Sequence, residues 1–363
     1  MGHESDRPVQ TSDEPTRLRE IVANVFNFRP AATLVAGDAS TTLLVGADAQ
    51  DDCAVFGMRG NQDLVVGSDY VRGPKFRLYE YGLLNENDLG YYLVAANVSD
   101  IAAMGAQPIG VLTVVRYPPD MPDSRFLEVM DGIHKACAEF GAPNVGGDIG
   151  GAERLFLSAT ALGVCEPGKA VLRSGAQPGD VLCLSGPTGI AGAAMQYFRF
   201  AKPLESIERR HRESLLAAWK RPQARVREGI CLGQTGLATS CQDTSDGLKA
   251  TIEGIAAASG VGFEIDERRV PITNEVGAVA KHISEHALKL VMGDSVDFEL
   301  AFTVPERSLP VLKRAFSSQN LDFWAIGRAT ADAAILLRLS DGTSCEIPGQ
   351  GWRHAPERGS SSH

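Results

Sequence analysis

Hydrophobic and polar positions follow two periodicities along most of the chain. Short runs rich in Val, Leu, Ile or Phe, such as residues 63–71 and 108–117, are typical of strands. Residues 86–104 instead place small and apolar side chains as a packed helix does, and residues 123–141 read as a helix with an Asp or Ser cap and a closing glycine. Further helices are expected at residues 18–27 and near residues 275–290, and the glycine-rich segment 144–151 is expected to be a turn. Strands and helices alternate in both halves, which predicts an α/β or α+β fold.

A stretch rich in Gly and Pro, residues 166–180, interrupts this pattern near the middle of the chain. The 363 residues are enough for two domains of ordinary size. We therefore expect an N-terminal domain over residues 18–166 and a C-terminal domain over residues 167–355. Residues 1–17 are predicted to be a disordered leader and residues 356–363 a disordered tail.

Composition and charge narrow the class of protein. The net charge of −10 and the pI of about 5.3 argue against a nucleic-acid partner, which requires a basic face. No apolar run approaches the roughly 20 residues of a membrane span, and the N-terminus lacks a secretory signal. The seven cysteines form no CxxC pair, which indicates free thiols in a reducing compartment. We expect a cytoplasmic protein without a membrane or nucleic-acid partner.

Isolated aspartates recur beside small or β-branched residues, with few Lys or Arg near them. Each one taken singly is explained by turn capping. Asp100 is harder to explain, because a carboxylate among Ala, Val, Ile and Met is costly to bury without a partner. Several such acids without matching bases predict a divalent cation such as Mg²⁺, which binds oxygen ligands and bridges carboxylates to phosphates. The acids are Asp51, Asp52, Asp69, Asp100, Asp148, Asp243, Asp246 and Asp297.

The segment CQDTSDGLKA, residues 241–250, places two of these acids where a helix should begin. Two explanations stay open from the residues alone: capping of that helix, or a metal and phosphate site. Other nucleotide and hydrolase signatures are missing, namely the Walker A loop, the HRD and DFG set of protein kinases, the GxSxG elbow and the HExxH zinc motif. The turn GPTGIAG is explained by a tight strand-to-helix connection.

Seven segments together carry a resemblance that no single one carries alone. They are QDDCAVF, VGSDYV, NVSDIAAMGAQP, GGDIG, LRSGAQPGD, DTSDGL and GDSVDFEL. In order and spacing, the chain resembles the thiamine-monophosphate kinase family of the aminoimidazole ribonucleotide synthetase superfamily, from about residue 20 to 355. Selenophosphate synthetase, the hydrogenase-maturation relative and the synthetase itself fit less well, because their reactive cysteines or GGETA-type turn have no counterpart here.

The resemblance implies a two-domain subunit with ATP and several Mg²⁺ ions between the domains. It also implies a homodimer in which the N-terminal mixed α/β domain pairs its sheet with that of a second subunit. The implied metal ligands are Asp52, Ser68, Asp69, Asp100, Asp148, Asp243 and Asp246. The implied ATP contacts are Gly147, Asp148, Arg173 and Ser245, and the implied catalytic residues are Asp148, Asp243, Asp246 and Arg173.

The implied chemistry is direct in-line transfer of the ATP γ-phosphoryl group to a phosphate oxygen of the acceptor. Such an oxygen is already a competent nucleophile, so positioning and charge neutralisation replace a strong base. Arg173 would act as a fixed cationic clamp, and its alternative explanation is an ordinary surface arginine. A helix beginning after Asp246 would favour the same negative charge.

The chain departs from the family pattern on the acceptor side. Val296 stands where an acid would face the thiamine moiety, Lys75 replaces a histidine, and Tyr70 replaces a small hydroxyl residue. The implied acceptor contacts are Lys75, Val296, Asp297 and Trp352. Three hypotheses follow: a thiamine-monophosphate kinase with a drifted site, a paralogue that phosphorylates or activates another small molecule, and a nucleotide-binding regulator without turnover.

Overall fold

The structure is a computed structural model that describes residues 33–36, 39–46, 49, 51–58, 60–71, 74–198 and 207–349. The predicted leader and tail, the predicted contact Trp352 and an amphipathic helix expected at residues 18–27 lie outside these residues. None of the described helices has both the length and the apolar character that a membrane crossing requires.

The first half forms a seven-stranded sheet in the order β1-β2-β3-β4-β7-β5-β6. Its strands are β1 (Thr33–Ala36), β2 (Ala39–Val45), β3 (Ala54–Gly57), β4 (Asp63–Tyr70), β5 (Gln107–Tyr117), β6 (Asn144–Gly151) and β7 (Phe156–Cys165). All neighbours are antiparallel except β5 and β6, which are parallel. Its helices are α1 (Pro74–Glu80), α2 (Glu86–Ala103) and α3 (Asp123–Phe140).

Helix α2 occupies the centre of the molecule. Every residue of it is buried except Asp100, because the sheet, α3 and helices of the second half surround it. Helices α2 and α3 touch backbone to backbone: a Cβ on Gly90 would lie 2.1 Å from the Val129 carbonyl oxygen. The small residues in the sequence of α2 therefore serve close packing on several sides.

The second half forms another seven-stranded sheet in the order β14-β13-β10-β12-β8-β11-β9, with only β10 and β13 parallel. Its strands are β8 (Val181–Leu184), β9 (Ser240–Asp243), β10 (Gly262–Asp266), β11 (Leu300–Val304), β12 (Trp324–Thr330), β13 (Ile335–Arg338) and β14 (Ser344–Glu346). Its helices are α4 (Ile190–Phe198), α5 (Arg209–Lys220), α6 (Val226–Thr235), α7 (Leu248–Ser259), α8 (Asn274–His282), α9 (Ala287–Met292) and α10 (Leu309–Ser318), and two 3₁₀ turns occur at Glu267–Arg269 and Glu306–Ser308.

Helix α6 of the second half lies on α2 of the first. A Cβ on Gly229 would come within 2.2 Å of the Ala102 carbonyl oxygen, and a Cβ on Gly233 within 2.1 Å of the Gly105 carbonyl oxygen. The connection between the halves runs along this contact, where the Val171 amide donates to the Met104 carbonyl at 2.9 Å. The domain boundaries expected at residues 166 and 167 stay a prediction.

Three local expectations were wrong. The glycine-rich segment 144–151 is not a turn but strand β6, and a Cβ on Gly147 would lie only 1.7 Å from the Thr113 carbonyl oxygen, so only glycine fits there. Helix α3 has no Asp or Ser cap, because Pro122 takes the N-cap position. One helix expected near residues 275–290 is two, α8 and α9, separated at Ser284, whose φ is +56°.

The face of the first sheet opposite α2 carries exposed apolar side chains. Leu112, Tyr70 and Phe156 are 38%, 38% and 43% exposed, and the rings of Tyr70 and Phe156 stack at 5.8 Å. Strand register places Tyr70, Ser158, Val114 and Asp148 in one row across this face. We call it the outer face of the first sheet.

Candidate metal and phosphate site

Three carboxylates from separate parts of the chain meet where the two halves touch. Asp52 lies in the loop before β3, Asp100 lies in α2, and Asp243 ends β9. Each offers an oxygen atom within 4.8 Å of the others. We call these three residues the acid cluster. It joins two acids of the first half to one of the second.

Hydroxyl groups hold Asp243 from both sides. The Ser99 hydroxyl donates to one carboxylate oxygen at 2.5 Å, and the Ser245 hydroxyl donates to the other at 2.8 Å. The main chain is fixed as well, because the Thr251 hydroxyl donates to the Asp243 carbonyl at 2.9 Å. The Ser245 amide also donates to the same oxygen as the Ser245 hydroxyl, at 3.4 Å, so the oxygen that accepts from Ser99 is the one that keeps a lone pair for another ligand.

Arg173 is the cationic partner of Asp52. Its guanidinium group pairs with Asp52 Oδ1, and its amide N–H donates to the Asp51 carboxylate at 3.0 Å. The Arg173 side chain is only 23% exposed, so it is not an ordinary surface arginine. The other oxygen, Asp52 Oδ2, is buried and has no hydrogen-bond partner.

Burial makes the acid cluster electrostatically unfavourable. It raises the pKa of Asp52 to about 7, and it raises the pKa of Asp243 as well. Burial also raises the pKa of Asp100, and the charges of Asp243, Asp52 and Asp69 add to the increase. One guanidinium group therefore faces several carboxylates. A hard divalent cation fits this donor set, because it binds carboxylate oxygens and would give Asp52 Oδ2 the partner it lacks.

The residues after Asp243 form the N-terminus of α7 without capping it through a side chain. Gly247 is the N-cap residue, with φ of +90° and no side-chain hydrogen bond. A Cβ on it would lie 2.2 Å from the Gly293 carbonyl oxygen. Ser245 is partly exposed and Asp246 exposed at this helix start. The capping explanation for the two acids in this segment is therefore wrong, whereas free amide groups there suit an anion.

Strand β4 carries two of the residues predicted as metal ligands, Ser68 and Asp69. They point to opposite faces of the first sheet. The Asp69 amide donates to the Asn97 side chain of α2 at 2.9 Å. The negative charge of Asp69 contributes to the raised pKa of Asp100. Ser68 points to the outer face, where its hydroxyl donates to the Ala159 carbonyl at 2.8 Å. Asp69 thus lies beside the acid cluster, and the Ser68 hydroxyl does not.

Gly147 and Asp148 are not brought to the acid cluster within this chain. Strand β6 is separated from β4 by β7 and β5, which at about 4.8 Å per strand is roughly 14 Å. The Asp148 side chain is 66% exposed on the outer face, where it forms an ion pair with Arg116. Their role toward ATP stays a prediction.

Two of the predicted acceptor residues, Val296 and Asp297, are described with their side chains. The Asp297 carboxylate accepts hydrogen bonds from the Gly189 and Ala191 amides at 2.5 and 3.0 Å, so it holds the turn into α4. Val296 is partly buried and packs against the main core. Lys75 lies in α1, but its side chain is outside the described residues.

Two residues that contact the site were missed from the sequence. Ser99 precedes Asp100 in the segment NVSD, and Asn97 lies two residues earlier. Both are buried polar residues in an otherwise apolar helix, which is the same signal that singled out Asp100. The sequence signal that identifies Asp100 therefore identifies these two residues as well.

Comparisons with known proteins give the family. The model of the AIR synthase related protein, N-terminal domain, matches residues 50–165, and that of the C-terminal domain matches residues 177–339. The thiamine-monophosphate kinase of Escherichia coli strain K12 is 30% identical over 305 residues, which are 84% of this chain and 90% of that protein. The one of Pyrococcus horikoshii is 30% identical over 271 residues, 75% of this chain and 80% of that protein.

A solved structure, AaThiL complexed with AMPPCP and TMP, is similar with a TM-score of 0.70. It is 25% identical, and the match covers 84% of this chain and 91% of that one. The family and the two-domain fold expected from the seven sequence segments are thereby confirmed. The chain belongs to the thiamine-monophosphate kinase family, within the AIR synthase related proteins.

Proposed function

We propose that this protein is an ATP-dependent kinase that transfers the γ-phosphoryl group of ATP to thiamine monophosphate, with thiamine diphosphate as the product. The observation that carries the proposal is the acid cluster with its unpartnered Asp52 oxygen, together with the N-terminus of α7, which follows Asp243 and Ser245 in the chain. Relatives at 30% identity are thiamine-monophosphate kinases, and a similar structure holds AMPPCP and TMP.

The acid cluster would hold Mg²⁺, with Asp69 and Asp246 as further ligands. A bound Mg²⁺ neutralises the phosphate charge that develops during transfer. Arg173 holds Asp52 in place through their ion pair, and its guanidinium group adds a fixed positive charge beside the acid cluster. Ser245 and the first amides of α7 bind a phosphate oxygen. The acceptor phosphate oxygen is already a competent nucleophile, so the transfer needs no general base.

The dimer that the family resemblance implies has a suitable surface on the outer face of the first sheet. Exposed Tyr70, Leu112 and Phe156 lie there, and a second copy would cover them. Asp148 lies on the same face and cannot reach the acid cluster of its own chain. We therefore propose that Gly147 and Asp148 contact the nucleotide bound by the partner subunit.

One observation favours a second candidate, a kinase of the same type with another acceptor. Val296 is an apolar side chain packed against the core at the position where the family pattern has an acid. A cationic thiazolium would lose a charged partner there. The acceptor of this second candidate would be an anionic phosphorylated small molecule without a cationic ring.

The test is incubation of the purified protein with ATP, Mg²⁺ and thiamine monophosphate, followed by mass spectrometry for thiamine diphosphate. Asp243→Asn is the matched control, and we expect it to lower turnover by about a hundredfold or more. Product formation supports the named acceptor. Mg²⁺-dependent ATP hydrolysis without this product supports the second candidate. The absence of both would refute the kinase assignment.

The cytoplasm is the compartment that the thiols favour. All seven cysteines are free, and most of them are buried. Free buried thiols persist in reducing surroundings.

A further inference from the structure

A buried ion pair between Arg225 and Glu299 is linked to the acid cluster through the main chain of Thr244. It takes no part in the chemistry proposed above. Glu299, 4% exposed, accepts a hydrogen bond from the Ser185 hydroxyl at 2.6 Å and one from Arg225 Nε at 2.8 Å. The Arg225 guanidinium binds its second oxygen as well, so the contact is bidentate. A Cβ on Gly186 would lie 2.5 Å from either carboxylate oxygen, so the chain leaves room for this pair by using glycine.

The main chain of Glu299 holds the segment that carries Asp243. The Glu299 amide donates to the Thr244 hydroxyl at 3.1 Å, and the Thr244 amide donates to the Glu299 carbonyl at 2.8 Å. Thr244 is fully buried and lies between Asp243 and Ser245. Whatever fixes Glu299 therefore also fixes the backbone from which Asp243 and Ser245 project.

The backbone at Glu299 needs such fixing. Phe298, the preceding residue, has a φ of +55°, a conformation that a bulky side chain rarely adopts. Conformations of this kind persist only where the surroundings impose them. Asp297 is held on one side by the amides of the turn into α4, and Glu299 on the other side by Arg225.

The backbone of Arg225 belongs to the contact between the two halves of the molecule. Arg225 is the N-cap residue of α6, whose Gly229 touches the backbone of α2 at Ala102. Helix α2 carries Asp100, so α6 connects the helix of Asp100 to the loop of Asp243 through Arg225 and Glu299. Arg225 touches neither acid directly.

We propose that Arg225 is a positioning residue of the metal site, which fixes the separation between Asp100 and Asp243 by holding Glu299 and, through it, Thr244. The inference rests on the proposed function, because it presupposes that the acid cluster binds a divalent cation. Residues that orient metal ligands without touching the metal change metal affinity by about 10- to 100-fold when they are replaced.

The experiment measures Mn²⁺ binding to the full chain by electron paramagnetic resonance, without nucleotide, in Arg225→Gln and Arg225→Lys variants. We expect the Mn²⁺ Kd to rise about tenfold or more in Arg225→Gln. Arg225→Lys keeps the charge but loses the bidentate contact, so its Kd should lie between those of Arg225→Gln and the unaltered protein. The double variant Arg225→Gln/Glu299→Gln removes both charges of this pair, leaves Glu228 as the remaining carboxylate, 3.8 Å from Arg225 in the unaltered protein, and should recover part of the affinity.

Arg221 provides a matched control. It joins the same two halves, with hydrogen bonds of 2.8 Å to Asp88 and 2.7 Å to the Asn87 side chain, but the structure gives it no contact with residues 243–245 or 299. Arg221→Gln should lower the melting temperature and leave the Mn²⁺ Kd unchanged. If Arg225→Gln behaves in the same way, Arg225 has only a structural role and the inference is overturned.

The assay separates this inference from the proposed function. Asp243→Asn should abolish tight Mn²⁺ binding if the acid cluster is the metal site. If the unaltered protein binds Mn²⁺ no better than Asp243→Asn, the metal site itself is refuted and the positioning role with it. If only Asp243→Asn loses affinity and the Arg225 variants do not, the metal site stands and the positioning role is refuted alone.

Discussion

At the scale of single residues, the main feature is an excess of buried carboxylates over cations. Arg173 offsets part of the charge on Asp52, and hydroxyl donors stabilise Asp243. The folded chain still raises the pKa of Asp52 to about 7 through burial. The unfolded chain returns that carboxyl group to its ordinary value near 4. Folding is therefore coupled to protonation at Asp52.

This coupling predicts how stability depends on pH. Between about pH 4 and 7 the folded protein keeps a proton on Asp52 that the unfolded chain has lost, so the free energy of unfolding decreases as pH rises through this window. We expect the melting temperature of the metal-free protein to fall over that window, by roughly 2–5 °C more than in Asp52→Asn, which cannot titrate there.

The measurement is thermal unfolding of both proteins in a chelating buffer from pH 4.5 to 7.5. Millimolar Mg²⁺ should restore stability to the unaltered protein at the upper end, because the cation binds the deprotonated carboxylates. Parallel curves for the two proteins would show that Asp52 does not titrate as burial requires.

At the scale of elements, the contact between α2 and α6 brings the acid cluster together. Gly229 and Gly233 lie one helical turn apart and let α6 approach the C-terminal end of α2 closely. Asp100 lies two residues before Ala102 in the same part of α2. A change in the distance between α2 and α6 would therefore shift the position of Asp100 in the acid cluster.

Gly229→Ala tests this contact. Its Cβ would meet the Ala102 carbonyl oxygen at 2.2 Å, so the helices must separate, and we expect a loss of about 1–3 kcal/mol in the free energy of unfolding. Gly277→Ala in α8 is the control, because a Cβ there meets nothing within 4 Å. It should stabilise the protein by about 0.5–1 kcal/mol through helix propensity. Urea unfolding measures both, and equal effects would contradict the packing argument.

The elements also show what the sequence could predict. Helix α2 and strands β4 and β5 were predictable because their apolar spacing is long and regular. Strand β6 was not, because NVGGDIGG contains four glycines, which usually mark turns. Its extended form depends on pairing with β5, and a single-chain pattern does not contain that partner.

The same limit applies to the site. Asp100 was identifiable as an acid in an apolar helix, and its meeting with Asp52 and Asp243 followed from the family resemblance and not from spacing. The sequence did not predict that Asp69 and Asp148 lie on opposite faces of the sheet. The alternation of side chains shows which face a residue occupies only when the register of the neighbouring strands is known.

At the scale of the whole molecule, the proposed dimer would make Asp148, which lies on the outer face of the first sheet, a residue of the other subunit's site. This predicts complementation between inactive variants. In a mixed dimer of Asp148→Asn and Asp243→Asn chains, one site would combine an intact acid cluster with an intact Asp148 from the partner. If half of the dimers are mixed, about a quarter of the full activity should return.

The measurement is product formation after the two variants are co-expressed with different tags. Asp52→Asn mixed with Asp243→Asn is the control and should recover nothing, because both residues belong to the acid cluster of one chain. If the first mixture recovers no activity, Asp148 does not act in the partner's site, and the proposed contact with the partner's nucleotide is refuted.

The hydrogen bond from Ser99 to Asp243 spans 144 residues of sequence, and this separation has a consequence for the order of folding. Contacts so distant in sequence form late, because the intervening chain loses much conformational entropy when they close. Strand β9, which ends at Asp243, pairs in the described sheet only with β11, residues Leu300–Val304. We therefore expect Asp243 to reach Asp100 only after the ribosome has released β11, and we expect a chain cut before Leu300 to lack the partner strand of β9 and to leave the acid cluster unassembled.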